Sequence, residues 1–232
     1  MSYKRVIAIG DSFTRGDELA DYNNTSDFYH HSKNTWPALI AKSLNADYKC
    51  VAIGGRGNQW ISWEVAANIY NSYDYGNTNF LFIVNWSWFE RFDYVNIDDD
   101  SWMTTHPRHD NKLDHYFYRN LDSDLWNLFR NLQQIHSTIS LLKQHNINFI
   151  MTCIDPLYNT DICNNRSTQW IEGWRKAIRI LDISSNITTF DNMTFLEWSH
   201  INDFKCGPNG HPLEDAHSAA AQYIQRTVPL LH

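Results

Sequence analysis

Apolar and polar positions along this chain fall into two alternating rhythms. Val6 to Ile9 is a short β-branched run that stops at Gly10. Tyr48 to Ile53 is a second such run, ended by Gly54-Gly55, and Phe80 to Val84 is a third. Asn148 to Cys153 makes a fourth, and Ile187 to Phe190 is a candidate fifth. Continuous apolar runs of this length read as strands buried on both faces. Between them the spacing turns helical. Thr35-Trp36-Pro37 supplies an N-cap and a first-turn proline for a helix through Leu44. Trp60 to Tyr73 carries Ile61, Val65, Ala66 and Ile69 at helical spacing. Leu125 to Lys143 places Leu128, Leu132, Ile135, Ile139 and Leu142 on one face. Gln169 to Leu181 and Leu213 to Arg226 complete the helices, and 191–210 reads as loop.

Strands alternating with helices predict an α/β fold, a parallel sheet covered on both sides. Residues 86–124 interrupt the alternation. They are aromatic and acidic and too long for a connection, so they read as an insertion in a single domain spanning 1–232. In such sheets ligands bind beyond the carboxyl ends of the strands. Those ends lie near Gly10, Gly54 and Asn85, and the polar motifs of interest fall there.

Composition narrows the function. The chain has 232 residues, 43% hydrophobic and 19% charged, enough for one packed core. A net charge of -7 without Lys/Arg clusters argues against a nucleic-acid partner. No run is long enough to span a membrane. The run after Lys4-Arg5 is too short for a signal peptide, which points to the cytoplasm, with a phage or virion context compatible. The four cysteines form no C-x-x-C pair, and Cys50 and Cys153 sit in predicted strands as buried thiols. Asp98-Asp99-Asp100 and the loop histidines match no metal-site spacing and read as solvated turns.

Two segments carry candidate chemistry. Gly10-Asp11-Ser12-Phe13-Thr14-Arg15-Gly16 follows the first strand and exposes a hydroxyl on a tight turn. Gly207-Pro208-Asn209-Gly210-His211-Pro212 places a histidine in a loop just before the last helix. A serine becomes a nucleophile when a base takes its proton, and histidine is the usual base near neutral pH. The first block, Gly10-Asp11-Ser12-Phe13 with Gly16, resembles the opening block of the GDSL, or SGNH, hydrolases. His211-Pro212 with His217 and Ala221 resembles that family's closing block, and Ile53-Gly54-Gly55-Arg56-Gly57-Asn58 its second.

The resemblance implies a flavodoxin-like, three-layer α/β/α fold and ester hydrolysis without metal or cofactor. It implies Ser12 as nucleophile, His211 as base and Gly55 as an oxyanion donor. A second oxyanion donor is Asn85 by residue type or Ser87 by position. The family's acid three residues before the histidine is Pro208 here, so the residue orienting His211 is Asn209, Asp203 or none. Glu214 and His217 repeat the spacing less favourably, inside a helix. Trp86, Trp88 and Arg91 follow the third strand and, with Asp11, are candidates for substrate contact. The aromatic run from Trp86 to Trp102 reads first as a small satellite core under the insertion, and otherwise as a cap that stacks on the substrate. The expected substrate is a small or carbohydrate-borne acyl ester. The missing acid also motivates a second reading, a non-catalytic binding module on the same fold.

Overall fold

A computed structural model describes residues 3–22, 30–73, 79–107, 112–156 and 181–231, with 172, 173 and 176 besides. Four parallel strands form its centre: β1 (Arg5–Ile9), β2 (Asp47–Cys50), β3 (Phe80–Trp86) and β6 (Asn148–Cys153). Their order is β2-β1-β3-β6. All seven residues of β3 are buried, as a central parallel strand requires. Successive side chains go to opposite faces. Ile7, Ile9, Phe82, Val84 and Met151 pack on one side with α3 (Asn58–Tyr73) and α5 (Asp124–Gln144). Val6, Ala8, Leu81, Ile83 and Ile150 pack on the other with α2 (Trp36–Ser43), α6 (Phe195–Ile201) and α7 (Glu214–Thr227). The result is three layers, helices–sheet–helices, as the strand and helix rhythm predicts.

Chain direction decides where a site can sit. From β1 the chain crosses to β2 on one flank and then returns to β3 on the other. The carboxyl ends of β1 and β3 therefore flank a switch point, where the departing loops part and leave a crevice.

The structure differs from the sequence reading in two places after β6. Ile187 to Phe190 is not a full strand. It pairs through one bridge, Ile187 with Met151, before the chain turns at Asp191 and Asn192, both at positive φ. The stretch 191–210 is not all loop, because α6 begins at Phe195 with Thr194 as its N-cap. That threonine accepts the Glu197 N–H while the Glu197 carboxylate accepts the Thr194 N–H, a complete capping box. The predicted helix at 169–181 lies almost wholly outside the described residues.

The segment after β3 has structure of its own. β4 (Phe92–Val95) and β5 (Trp102–Thr105) pair antiparallel, and α4 (Lys112–Asn120) follows. Asp98 to Asp100 lie in the exposed turn of that hairpin, where Asp99 accepts the Ser101 N–H. Phe92 stacks on Phe117 with centroids 4.9 Å apart, so part of the aromatic run is a small core beneath the insertion. Cys50 and Cys153 are buried free thiols, and burial pushes the Cys50 thiol up to about 11. Among the described residues no helix is long and apolar enough to cross a membrane.

Candidate active site

The first strand delivers Ser12 to the crevice. Asp11 caps α1 (Ser12–Arg15) in extended conformation, its Oδ1 accepting the Phe13 N–H at 3.2 Å. Ser12 is the first residue of that turn, and the first N–H groups of a helix have no acceptor within it. The other Asp11 oxygen faces inward. It accepts the Ser87 hydroxyl at 2.8 Å and Arg91 Nη1 at 2.9 Å. Arg91 Nη1 also donates to Ser87 Oγ at 2.6 Å and to the Arg56 carbonyl at 3.1 Å. Asp11 is fully buried and Arg91 nearly so. These two residues, expected at the substrate, hold each other beneath the serine turn instead.

The last block arrives from the opposite end of the chain. Cys206 bridges Pro212, and the Gly207 N–H donates to the His211 carbonyl at 2.8 Å, closing a tight turn. That turn sets His211 against the ring of Phe13, centroids 4.8 Å apart. His211 Nε2 lies 2.8 Å from Ser12 Oγ. Its other nitrogen, Nδ1, lies 2.7 Å from Glu18 Oε2. Both ring nitrogens are thereby engaged, and neither by Asn209 or Asp203. Asp203 is exposed at the end of α6, its N–H on the His200 carbonyl. Asn209 faces Glu18 instead, donating its backbone N–H at 2.9 Å and its side-chain amide at 3.0 Å to Oε1. A Cβ at Gly207 would sit 2.7 Å from the Glu18 carboxyl, so a side chain there would displace it. Burial pushes the Glu18 carboxyl up. The Asn209 N–H and the His211 ring and N–H outweigh it, and hold the group below the usual carboxylate range.

Glu214 and His217 do not substitute for this pair. Glu214 accepts the Ala20 N–H at 2.6 Å. His217 is buried in α7, and its Nδ1 accepts the Trp36 N–H at 3.1 Å. Burial, reinforced by His211, pushes its pKa down to about 3, so the ring is neutral.

The neighbouring wall comes from β2 and β3, the strands on either side of β1. Gly55 follows β2 at φ 82, a backbone region that disfavours a side chain. Asn85 lies at the end of β3 with its Oδ1 accepting the Thr152 hydroxyl at 2.8 Å, which leaves Nδ2 as the donor end. Ser87 is already committed. Its Oγ joins Asp11 and Arg91, and its N–H donates to Asn58 Oδ1 at 2.7 Å. Trp86, expected at the substrate, is fully buried in the core below α3 and α5, because β3 is covered on both faces. Trp88 is partly buried against the opposite core.

Two residues not singled out in the sequence tie the wall together. Asn58 opens α3 and donates to the Ser87 carbonyl at 3.1 Å and to Asn131 at 2.7 Å. Asp93 of β4 accepts the Gly57 and Trp60 N–H groups, each at 2.9 Å, and so fastens the hairpin to the loop bearing Gly55. Asn58 stood in the second block but had no visible partner there. Asp93 carried no local signal.

A hydroxyl bonded to an imidazole, itself bonded to a carboxylate, can pass its proton to the ring when it attacks an electrophile. No family model and no curated protein matches the chain. Solved structures do. The crystal structure of TesA superposes with a TM-score of 0.54 at 14% identity, over 98% of this chain and 99% of that one. The chain has the SGNH hydrolase fold. A carbohydrate esterase family 2 enzyme with a carbohydrate-binding domain, from Corynascus thermopiles (Myceliophthora fergusii), also superposes with a TM-score of 0.54. Identity there is 16%, over 98% of this chain and 66% of that chain. A lipolytic protein of the G-D-S-L family from Desulfitobacterium hafniense DCB-2 superposes over 96% of this chain and 98% of its own, at 14% identity and a TM-score of 0.48. On this SGNH scaffold the serine and histidine turns both rise from the carboxyl side of the sheet.

Proposed function

We propose that this chain is a serine hydrolase that cleaves a small acyl ester through an acyl-enzyme on Ser12. The observation that carries the reading is the 2.8 Å contact between Ser12 Oγ and His211 Nε2 at the mouth of the β1/β3 crevice. Ser12 Oγ attacks the ester carbonyl while its proton passes to Nε2. The oxyanion faces the N–H groups of Ser12 and Gly55 and the Asn85 amide. Asn85 is preferred to Ser87 because the Ser87 hydroxyl is held by Asp11 and Arg91. Each such donor is worth about 3–4 kcal/mol in the transition state. Collapse breaks the C–O bond, and Nε2 returns its proton to the departing alcohol. Water then adds to the acyl carbon and gives a proton to Nε2; the acyl–Oγ bond breaks, Nε2 returns that proton to Ser12 Oγ, and the acid leaves.

A carbohydrate-borne acyl group is the substrate class we favour. A similar fold is a carbohydrate esterase. The site needs neither metal nor cofactor for this chemistry.

The test is labelling by a fluorophosphonate probe together with turnover of a p-nitrophenyl ester series of increasing acyl length. Labelling and acetate release that disappear in Ser12→Ala support the reading. A wild-type protein that neither labels nor turns over any ester refutes it, and leaves the non-catalytic module.

A further inference from the structure

We infer that Glu18 is the carboxylate that orients His211, so that the acid of this site comes from the first block of the chain and not the last. The inference rests on the serine-hydrolase reading above and adds the third member to it.

Five features converge on this one side chain. Glu18 Oε2 lies 2.7 Å from His211 Nδ1, the nitrogen opposite the one facing Ser12. The His211 N–H also donates to it, at 3.3 Å. Asn209 donates twice to Oε1, so every bond it makes here steadies the carboxylate rather than the imidazole. Gly207 is bare where a side chain would strike the carboxyl. Glu18 also sits at φ 71, a left-handed region that is costly for a non-glycine residue. Such strain persists where the surroundings hold it, and commonly at functional sites. The last block therefore lacks an acid at position 208 yet is shaped around one brought from 193 positions away.

The tautomer of the ring follows from the same contacts. With Glu18 ionised, Nδ1 carries the proton and donates it to Oε2. Nε2 is then the acceptor that Ser12 needs. An amide at position 18 spoils this in either orientation. Its NH2 would face the Asn209 donors or His211 Nδ1. In the second case the ring must shift its proton to Nε2, where it cannot accept from Ser12. Glu18 does not touch the substrate and acts only through His211, so it is a positioning residue.

The variants are Glu18→Gln, Glu18→Gly, Asp203→Asn and Ser12→Ala in the full chain. Each is assayed for kcat and KM on p-nitrophenyl acetate, for fluorophosphonate labelling, and for its urea midpoint. Glu18→Gln is expected to lower kcat about 10²–10⁴-fold with KM within threefold. Glu18→Gly suits the positive φ and leaves space for a small anion. Added formate should restore its kcat at least tenfold, an effect that a purely structural role would not give. Asp203→Asn should stay within twofold of wild type. If Glu18→Gln keeps more than a tenth of wild-type kcat, or formate rescues nothing, the Glu18 assignment is overturned while the Ser12 reading stands. If labelling survives Ser12→Ala, the underlying reading falls first.

Discussion

Arg91 is the residue whose role a single substitution decides most cleanly. It comes from the segment after β3, is 7% exposed, and places Nη1 2.9 Å from Asp11 Oδ2. Arg91→Met keeps the stem's packing and removes the charge. Asp11 would then be left fully buried with only the Phe13 N–H and the Ser87 hydroxyl. Removing one partner of a buried ion pair costs about 3–5 kcal/mol, because the other charge is stranded. Arg91 Nε is buried without a partner, a cost already present in the native state and relieved by Met. The lower end, about 3 kcal/mol, is therefore expected. Against a total of about 5–15 kcal/mol this is a large share, and in a chain of this length it lowers Tm by roughly 6–12 °C.

The assay is equilibrium urea unfolding followed by tryptophan fluorescence, for wild type, Arg91→Met, Asp11→Asn and the double variant. The double variant should be less destabilised than the two singles summed, by about 2 kcal/mol or more, since the two groups share one network. Asp11 also caps the serine turn, so kcat should fall along with stability in the single variants. A substrate-binding arginine behaves otherwise. If Arg91→Met leaves the urea midpoint where it was and raises KM, the buried-pair argument is refuted and Arg91 returns to the substrate.

Two further outcomes follow from the same geometry. Asn85→Ala should lower kcat about 10²-fold or more with little change in KM, while Ser87→Ala should mainly cost stability; the reverse pattern would move the oxyanion donor to Ser87. His217 makes stability depend on pH. Its pKa is about 3 in the fold against an ordinary 6.5. Below 6.5 the unfolded chain therefore binds a proton that the native ring refuses. That contribution is fully present above 6.5 and is lost as pH falls towards about 3, reaching about 2 kcal/mol at pH 5. His217→Gln should flatten the fall in urea midpoint between pH 6.5 and 5, and an unchanged slope would show that other groups carry it.

Much of the architecture was written locally. Val6 to Ile9 and Phe80 to Val84 announce strands buried on both faces, because a run without polar positions has no face to give to water. Thr35-Trp36-Pro37 announces the start of α2 for the same kind of local reason, a side-chain oxygen over free N–H groups. The box Thr194 to Glu197 announced α6 just as clearly, although the polar residues around it read as loop. Ser12 after β1 and His211 before α7 were legible as motifs, and their neighbouring glycines told of turns.

What the chain by itself determined, then, was the four strands of the sheet, most of the helices that cover it, and the two ends of the candidate site. What only the tertiary structure decided was which polar groups meet. Glu18 lay unmarked in a polar stretch with Asp17 and Asp21. Nothing local distinguishes a carboxylate that will face an imidazole from one that will face water. Asp11 and Arg91 stood at strand ends where either a substrate or another side chain was a sensible partner. The choice in each case depends on how loops separated by most of the chain come together over one sheet. The pattern of apolar residues fixes which faces are buried, but charge and hydrogen bonding acquire their partners only once that burial has brought them within about 3 Å.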